Sequence, residues 1–75
     1  MIEYYTELNG VELYRGPSRT EAMTTWTQAS FASTRDGGHV TGGVGIQAYH
    51  DEIMVRDGWL VHVSANGHVY LNSTL

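Results

Sequence analysis

An Asn-Gly dipeptide constrains the fold of the N-terminal third more than any other feature of the sequence. Residues 2–8 alternate between apolar and polar side chains, as in a strand with one buried face. Asn9-Gly10 follows and supplies two residues that accept the positive φ of a type I′ turn. The sequence therefore predicts a hairpin with a two-residue loop. Its expected cross-strand pairs are Leu8 with Val11, Glu7 with Glu12, Thr6 with Leu13 and Tyr5 with Tyr14.

A capping box predicts where a helix begins. Ser18 and Glu21 have the Ser-x-x-Glu spacing, in which each side chain can bond the other residue's amide. A helix is therefore expected from about Arg19 to Ser33. Its inward stripe at helical spacing is Ala22, Met23, Trp26, Ala29, Ser30 and Ser33. Phe31 lies nearly opposite this stripe, so either the helix ends before it, which is the simpler prediction, or its ring faces outward.

The second half of the chain reads as strands separated by turns. A glycine-rich segment, about 34–45, is expected to be a flexible connector within one domain spanning residues 1–75. Strand-like segments follow, with Asp57-Gly58 and Asn66-Gly67 predicted as hairpin turns. These turns would pair Val55 with Leu60, Ile53 with His62, Met54 with Val61 and Val63 with Tyr70.

The predicted fold class is α+β: an N-terminal β-hairpin, one amphipathic helix, then a three- to four-stranded antiparallel meander, ββαβββ-like. One helix of this size covers one face of a sheet, so the other face is expected to meet the first hairpin or another chain. The predicted core is Leu8, Leu13, Met23, Trp26, Ile46, Ile53, Leu60 and Val69.

Composition argues against several classes of function. Eight acidic and four basic residues give a net charge of −4, the wrong sign for following a phosphate backbone, so no nucleic-acid partner is expected. No window approaches ~18 consecutive apolar residues, and the N-terminus lacks the charged and apolar regions of an export signal. A cytoplasmic location away from membranes is expected. The absence of cysteine removes disulfides and thiolate chemistry, and the absence of lysine removes Schiff-base chemistry.

No pattern of residues points to catalysis, a metal or a cofactor. The four histidines (His39, His50, His62 and His68) lack the spacing of a metal motif. Residues 50–52 combine an imidazole with two carboxylates, yet adjacent residues in a strand or turn point apart, and a charged hairpin turn is the simpler interpretation. Residues 43–48 match Gly-x-Gly-x-x-Ala without the preceding strand and following helix of a dinucleotide site. Their glycines are instead predicted to mark bulges or a close approach of backbones.

Opposed glutamates in the hairpin raise the question of a binding surface. Glu7 against Glu12 costs a few tenths of a kcal/mol, which acidic protection of an edge strand would explain. Alternatively, glutamates around a Tyr5–Tyr14 pair would form an acidic, aromatic face whose repulsion an arginine-bearing partner relieves. The candidate protein-binding residues are Glu3, Tyr5, Glu7, Glu12, Tyr14 and Phe31.

A chain of 75 residues buries a thin core, which favours further burial against a partner. The sequence predicts a small non-enzymatic protein-binding module of the type that phages or mobile elements use to bind or inhibit a host protein. A homo-oligomer is also expected, with a dimer favoured. One alternative is a self-assembling structural or virion-associated protein. Another is a small ligand-binding domain or enzyme that uses His50 and the glycine-rich loop.

Overall fold

The chain folds into one antiparallel sheet with a helix on one face, as shown by a computed structural model that describes residues 1–35 and 37–64 and the backbone of 69–71. The elements are β1 (Ile2–Leu8), β2 (Val11–Gly16), α1 (Arg19–Arg35), β3 (Gly42–His50), β4 (Ile53–Val63) and β5 (Val69–Leu71). The strand order is β2-β1-β3-β4-β5, so β1, β3 and β4 lie inside the sheet. This arrangement confirms the predicted α+β class. In the described part of the chain, α1 lacks the length and apolarity to cross a membrane.

One of the two hydrogen bonds of the predicted capping box forms at the start of α1. The Glu21 amide donates to the Ser18 hydroxyl at 3.1 Å. The Ser18 amide, however, donates to the hydroxyl of Tyr14 at 3.1 Å, which ties the helix start to β2. The helix continues to Arg35, so the prediction that it ends before Phe31 was wrong, and this ring faces outward with 66% of its surface exposed.

The core forms where α1 packs across β1, β2 and β3. Its buried members are Ala22, Trp26, Val40, Val44 and Val63, with Tyr4, Leu8, Tyr14, Met23, Leu60 and Val61 packed around them. The small Ala22 lets the helix approach closely enough for the buried Thr6 hydroxyl to donate to its carbonyl oxygen at 2.7 Å.

Most of the predicted core lies where expected. Trp26 and Ile46 are buried, and Leu8, Met23 and Leu60 are half-buried. Two predictions were wrong, because Leu13 and Ile53 are exposed. The side chain of Val69 lies outside the described residues.

The β1–β2 hairpin has the predicted turn and an unpredicted irregularity. Asn9 and Gly10 have φ values of 51° and 85°, and Leu8 pairs with Val11 as expected. The register then shifts, leaving Leu13 unpaired between the two strands. On the turn side of Leu13, Glu7 pairs with Glu12 as predicted. Beyond Leu13, Thr6 pairs with Tyr14 and not with Leu13 as predicted, and Tyr5 pairs with Arg15. The predicted Tyr5–Tyr14 pair is wrong: the two rings lie on opposite faces of the sheet.

The second hairpin turns within the charged segment 50–52, as the sequence predicted. Its turn residues are Asp51 and Glu52, with φ values of 52° and 69°. Strand β4 runs without a break through Asp57-Gly58, so the turn predicted there is wrong. The pairs predicted between Val55, Ile53 or Met54 and residues 60–62 are also wrong, because all of these residues lie in one strand.

Pairing of β4 with its two neighbours corrects the rest of the predicted meander. Ala48 pairs with Val55 and His50 with Ile53. On the other edge, Val63 pairs with Val69 rather than with Tyr70, which lies opposite His62. The turn predicted at Asn66-Gly67 lies outside the described residues.

The glycine-rich segment contributes its last residues to the sheet. Strand β3 begins at Gly42, so the connector is shorter than predicted. A Cβ on Gly42 would overlap the carbonyl of Glu7 in β1, and one on Gly43 would overlap that of Val61 in β4. The prediction that the glycines of residues 43–48 mark a bulge or a close backbone approach is confirmed, at Gly43 by this approach to Val61 and at Gly45 by the register shift beside it. Asn9 fixes the connector by accepting from the Thr41 amide at 2.8 Å.

Candidate interaction surface on the open face of the sheet

The face of the sheet opposite α1 is not covered by any element of the described residues. We call it the open face. Paired residues in neighbouring strands share a face, so the register shows which side chains lie there. Eight of them form a connected layer, the open-face platform: Tyr5, Glu7, Glu12, Arg15, Gln47, Arg56, Trp59 and His62.

Tyr5 occupies the centre of this platform and is 0% exposed although no secondary-structure element covers it. Its ring lies over Gly45, where an added Cβ would overlap the ring atoms. The Arg56 guanidinium carbon lies 4.3 Å from the ring centroid, in cation–π geometry. Trp59 meets the ring edge-on, with 5.3 Å between centroids and 61° between planes. Neighbouring side chains alone therefore seal Tyr5 from water.

The hydroxyl of Tyr5 is buried and has no hydrogen-bond partner among the described residues. Burial raises the pKa of Tyr5 above its ordinary value, and the nearby positive charge of Arg56 offsets part of this effect. The hydroxyl thus remains protonated and desolvated. An unpaired buried donor is unfavourable, so the hydroxyl of Tyr5 lowers the free energy of unfolding.

A pair of single-atom deletions tests this assignment. We expect Tyr5→Phe to leave the free energy of unfolding unchanged or to raise it, because the deleted hydroxyl bonds nothing in the described structure. Tyr14→Phe removes the acceptor of the Ser18 amide and should cost about 1 kcal/mol. Denaturant unfolding of both variants measures the difference. An equal loss in the two variants would contradict the assignment.

Two arginines neutralise the glutamates that face each other in the hairpin. Arg15 donates to both carboxylate oxygens of Glu12, at 3.2 and 2.8 Å, and to the Gln47 side-chain oxygen at 2.7 Å. Arg56 donates to Glu7 at 2.9 Å. The hydrogen bond from Arg15 holds the pKa of Glu12 below its ordinary value. The chain's own arginines thus provide the relief expected of an arginine-bearing partner.

These ion pairs are exposed, so they contribute little to the free energy of unfolding. The side chains of Arg15 and Glu12 are 40% and 36% exposed, and surface pairs of this kind contribute at most ~1 kcal/mol. What the pairs do is fix the direction of each guanidinium. Since Arg15 is also bonded to the buried Gln47, its planar group is held against the sheet.

Trp59 and His62 form the aromatic edge of the platform. Their rings stack with 5.0 Å between centroids and 17° between planes, and both residues are half-buried. Tyr49 is exposed at the far end of the same face, since it lies two residues beyond Gln47. Trp59 was not among the candidate site residues, because a turn was predicted at Asp57-Gly58. Trp59 was therefore not expected in the middle of a long strand.

The structure brings together some of the predicted site residues and separates others. Tyr5, Glu7 and Glu12 belong to the platform, and Glu3 lies beside it because it pairs with Gln47. The remaining two lie elsewhere: Tyr14 packs against the core beneath α1, and Phe31 lies on the outer surface of α1.

The alternative site of His50 with the glycine-rich loop is not assembled in the described structure. Gly42 and His50 are the two ends of β3, which places them about 26 Å apart. Within the described ranges, no group of three or more histidine, aspartate or glutamate residues could hold a metal ion. What the platform assembles is rigid aromatic rings and oriented arginines, which is the chemistry of recognition.

Comparison with known proteins gives no further assignment, since no protein-family model, no curated protein and no solved structure matches the chain. A functional proposal therefore depends on the chemistry of the platform and on its place in the fold.

Proposed function

We propose that this chain is a small non-enzymatic protein-binding module and that it docks its partner on the open-face platform. The observation that supports this proposal is an uncovered sheet face carrying a stacked Trp59–His62 pair beside two oriented arginines. Tryptophan, tyrosine and arginine are the residue types that most often dominate the binding energy of protein interfaces.

The platform is organised before a partner arrives. Trp59 is held between the edge of Tyr5 and the ring of His62, and Arg56 is held by Glu7 and by the Tyr5 ring. Side chains that are already ordered lose little conformational entropy on binding. The buried hydroxyl of Tyr5 fits this reading, because its ring serves as a support for Arg56 and Trp59 rather than as a hydrogen-bonding group.

The remaining donors of the arginines indicate what the partner presents. A guanidinium has five N–H donors, of which Arg15 uses three and Arg56 one in the hydrogen bonds described above. A partner with backbone carbonyls or a carboxylate beside an apolar side chain would satisfy these donors and cover Trp59. The size and composition of the chain favour a phage or mobile-element protein whose partner is a host protein. Lysate of such a host is therefore the material in which to search for the partner.

The test removes the aromatic anchor and leaves the rest of the surface intact. A partner captured from host lysate by the tagged chain is identified, purified and titrated against variants. We expect Trp59→Ala to weaken binding by about tenfold or more, which is the effect of losing an interface anchor. Phe31→Ala is the matched control, because it also removes an exposed ring but on the outer surface of α1. Far-ultraviolet circular dichroism verifies that both variants are folded.

Two outcomes would overturn the proposal. One is unchanged affinity for Trp59→Ala together with loss of binding in Phe31→Ala. The other is saturable binding of a mixed-sequence single-stranded oligonucleotide that Trp59→Ala abolishes, because aromatic sheet faces also stack nucleic-acid bases. The net charge of −4 favours the protein partner over the oligonucleotide.

A further inference from the structure

The hairpin of β3 and β4 extends beyond the rest of the sheet. Strand β1 ends at the pair of Ile2 with Ala48, the Met1 carbonyl still accepts from the Tyr49 amide at 3.2 Å, and residues 50–53 continue past it. We call residues 48–55 the arm. On the side of the sheet that α1 occupies, the arm region presents Ile2, Ile53 and Val55, which are 53%, 65% and 38% exposed. This side of the arm is therefore largely apolar, with the exposed His50 as its polar residue, and no element of the described residues covers it.

A groove separates the arm from the start of α1. Its volume is about 250 Å³, and its lining residues are Ile2, Tyr4, Arg19, Ile46 and Leu60. Four of the five lining residues are aliphatic or aromatic, and Arg19 supplies a positive charge. The ion pairs of the described residues join Arg15 to Glu12 and Arg56 to Glu7, so neither supplies a carboxylate to Arg19.

We propose that a second copy of this chain covers this surface, with the arm of each copy lying over the groove of the other. The first argument is charge complementarity. The arm ends in Asp51 and Glu52, both exposed, and the groove carries the exposed Arg19. A two-fold arrangement places the acidic tip of each arm beside the arginine of the other copy, and the apolar faces of the arms pack together.

The second argument is the length of the arm. The tip at Asp51 lies three residues beyond Ala48, and Ile46 in the groove lies two residues before it. At ~3.3 Å per residue these distances are about 10 and 7 Å, so they nearly match. A two-fold axis passing close to the Ala48–Val55 pair therefore carries each tip onto the opposite groove. The small side chain of Ala48 permits close approach at the axis.

The third argument is the thickness of the layers. Sheets pack face to face at about 10 Å, and a helix lies a similar distance from the sheet beneath it. The arm of the second copy thus fits in the layer that α1 occupies, next to the first turn of α1. The contact is small compared with the ~800 Å² per partner of a standard interface, so we expect a dimer that dissociates on dilution.

This dimer leaves the open face of each copy uncovered, since the arms meet on the α1 side of the sheet. It does not depend on the proposed function, and the two can fail separately. If both hold, the dimer presents two platforms and binds a multivalent partner more tightly than one copy does.

The absence of native cysteine allows a direct test by cross-linking introduced cysteines. Val55→Cys should form a dimer linked by a short bis-maleimide reagent, because the two copies of residue 55 face each other at the axis across the ~10 Å between packed layers, which exceeds the ~7 Å that a disulfide spans between Cα atoms. Phe31→Cys, which is exposed on the outer surface of α1, is the control and should remain unlinked. Equal cross-linking of the two variants, or none in either, would overturn the proposal.

Sedimentation velocity over a series of concentrations tests the apolar and charged contacts separately. Ile53→Asp and Arg19→Glu should each shift the chain to monomer, whereas Phe31→Asp, at a site of nearly equal exposure, should leave the dimer intact. Combining Arg19→Glu with Glu52→Arg should restore the dimer by exchanging the charges. A wild-type chain that is monomeric at every concentration, or a dimer insensitive to Ile53→Asp, would overturn the arm exchange.

Discussion

Replacing Gly43 with alanine is expected to leave the chain unfolded. Gly43 has a φ of 151°, and its added Cβ would overlap the carbonyl oxygen of Val61 in the neighbouring strand. That atom belongs to the backbone, so it cannot rotate away as a side chain could. Because β3 pairs with β1 and β4 on its two sides, moving either strand breaks the interior of the sheet. A domain of this size has about 4 to 11 kcal/mol of stability to lose.

Gly10→Ala is the matched control for this prediction. Gly10 also has positive φ, at 85°, but an added Cβ would meet no atom within 4 Å. This variant should lose only about 1 to 2 kcal/mol, from the strained backbone alone. Circular dichroism and denaturant unfolding distinguish the two. A folded Gly43→Ala variant with the midpoint of Gly10→Ala would show that β3 and β4 are not in the close contact described here.

Replacing Trp26 with alanine is expected to cost about 3 to 5 kcal/mol, a large share of the about 4 to 11 kcal/mol of stability of a domain of this size. Trp26 is 8% exposed and packs among Ala22, Val44 and Val63, where it joins α1 to the sheet. The other buried members of the described core are alanine and valine, which are too small to fill the space it would leave. Thermal unfolding followed by circular dichroism measures the loss.

Phe31→Ala controls for the general effect of removing an aromatic ring from α1. Phe31 is 66% exposed, so its loss should change stability by less than about 0.5 kcal/mol. The comparison isolates burial, since both residues lie in one helix. Similar losses in the two variants would contradict the description of the core.

Features set by neighbouring residues could be predicted from the sequence. The alternation of β1, the Asn9-Gly10 turn and the bond from the Glu21 amide to Ser18 each depend on groups a few residues apart. The inward stripe of α1 was predictable for the same reason, because helical spacing alone places Ala22 and Trp26 on one side.

The turn at Asp57-Gly58 was predicted wrongly because an Asp-Gly dipeptide suits both a tight turn and an irregularity within a strand. Asp57-Gly58 favours positive φ, which a tight turn needs, but Gly58 uses its φ of 158° inside β4 at an irregularity of pairing. The turn at Asp51-Glu52 contains no glycine, and its charged residues were the local signal for it. It lies there because the long pairing of β3 with β4 determines where the chain reverses.

The platform could not be predicted as a unit, since it depends on register across four strands. The unpaired Leu13 moves Tyr14 to the α1 side and puts Arg15 opposite Tyr5. Arg56 and Glu7 are 49 residues apart in sequence. One usable signal was present: a glycine at residue 45 in an interior strand leaves space that a large neighbouring side chain must fill, and Tyr5 fills it.

The strand order has a consequence for how the nascent chain acquires its structure. Strand β1 pairs with β2 and also with β3, which begins at Gly42, after the whole of α1. During synthesis the hairpin and α1 are complete before their central strand exists, so Trp26 has no finished surface to pack against. Productive folding therefore requires a long-range contact between β1 and β3, which can form only after α1 has been synthesised. Until then the residues before β3 are accessible to proteases and chaperones.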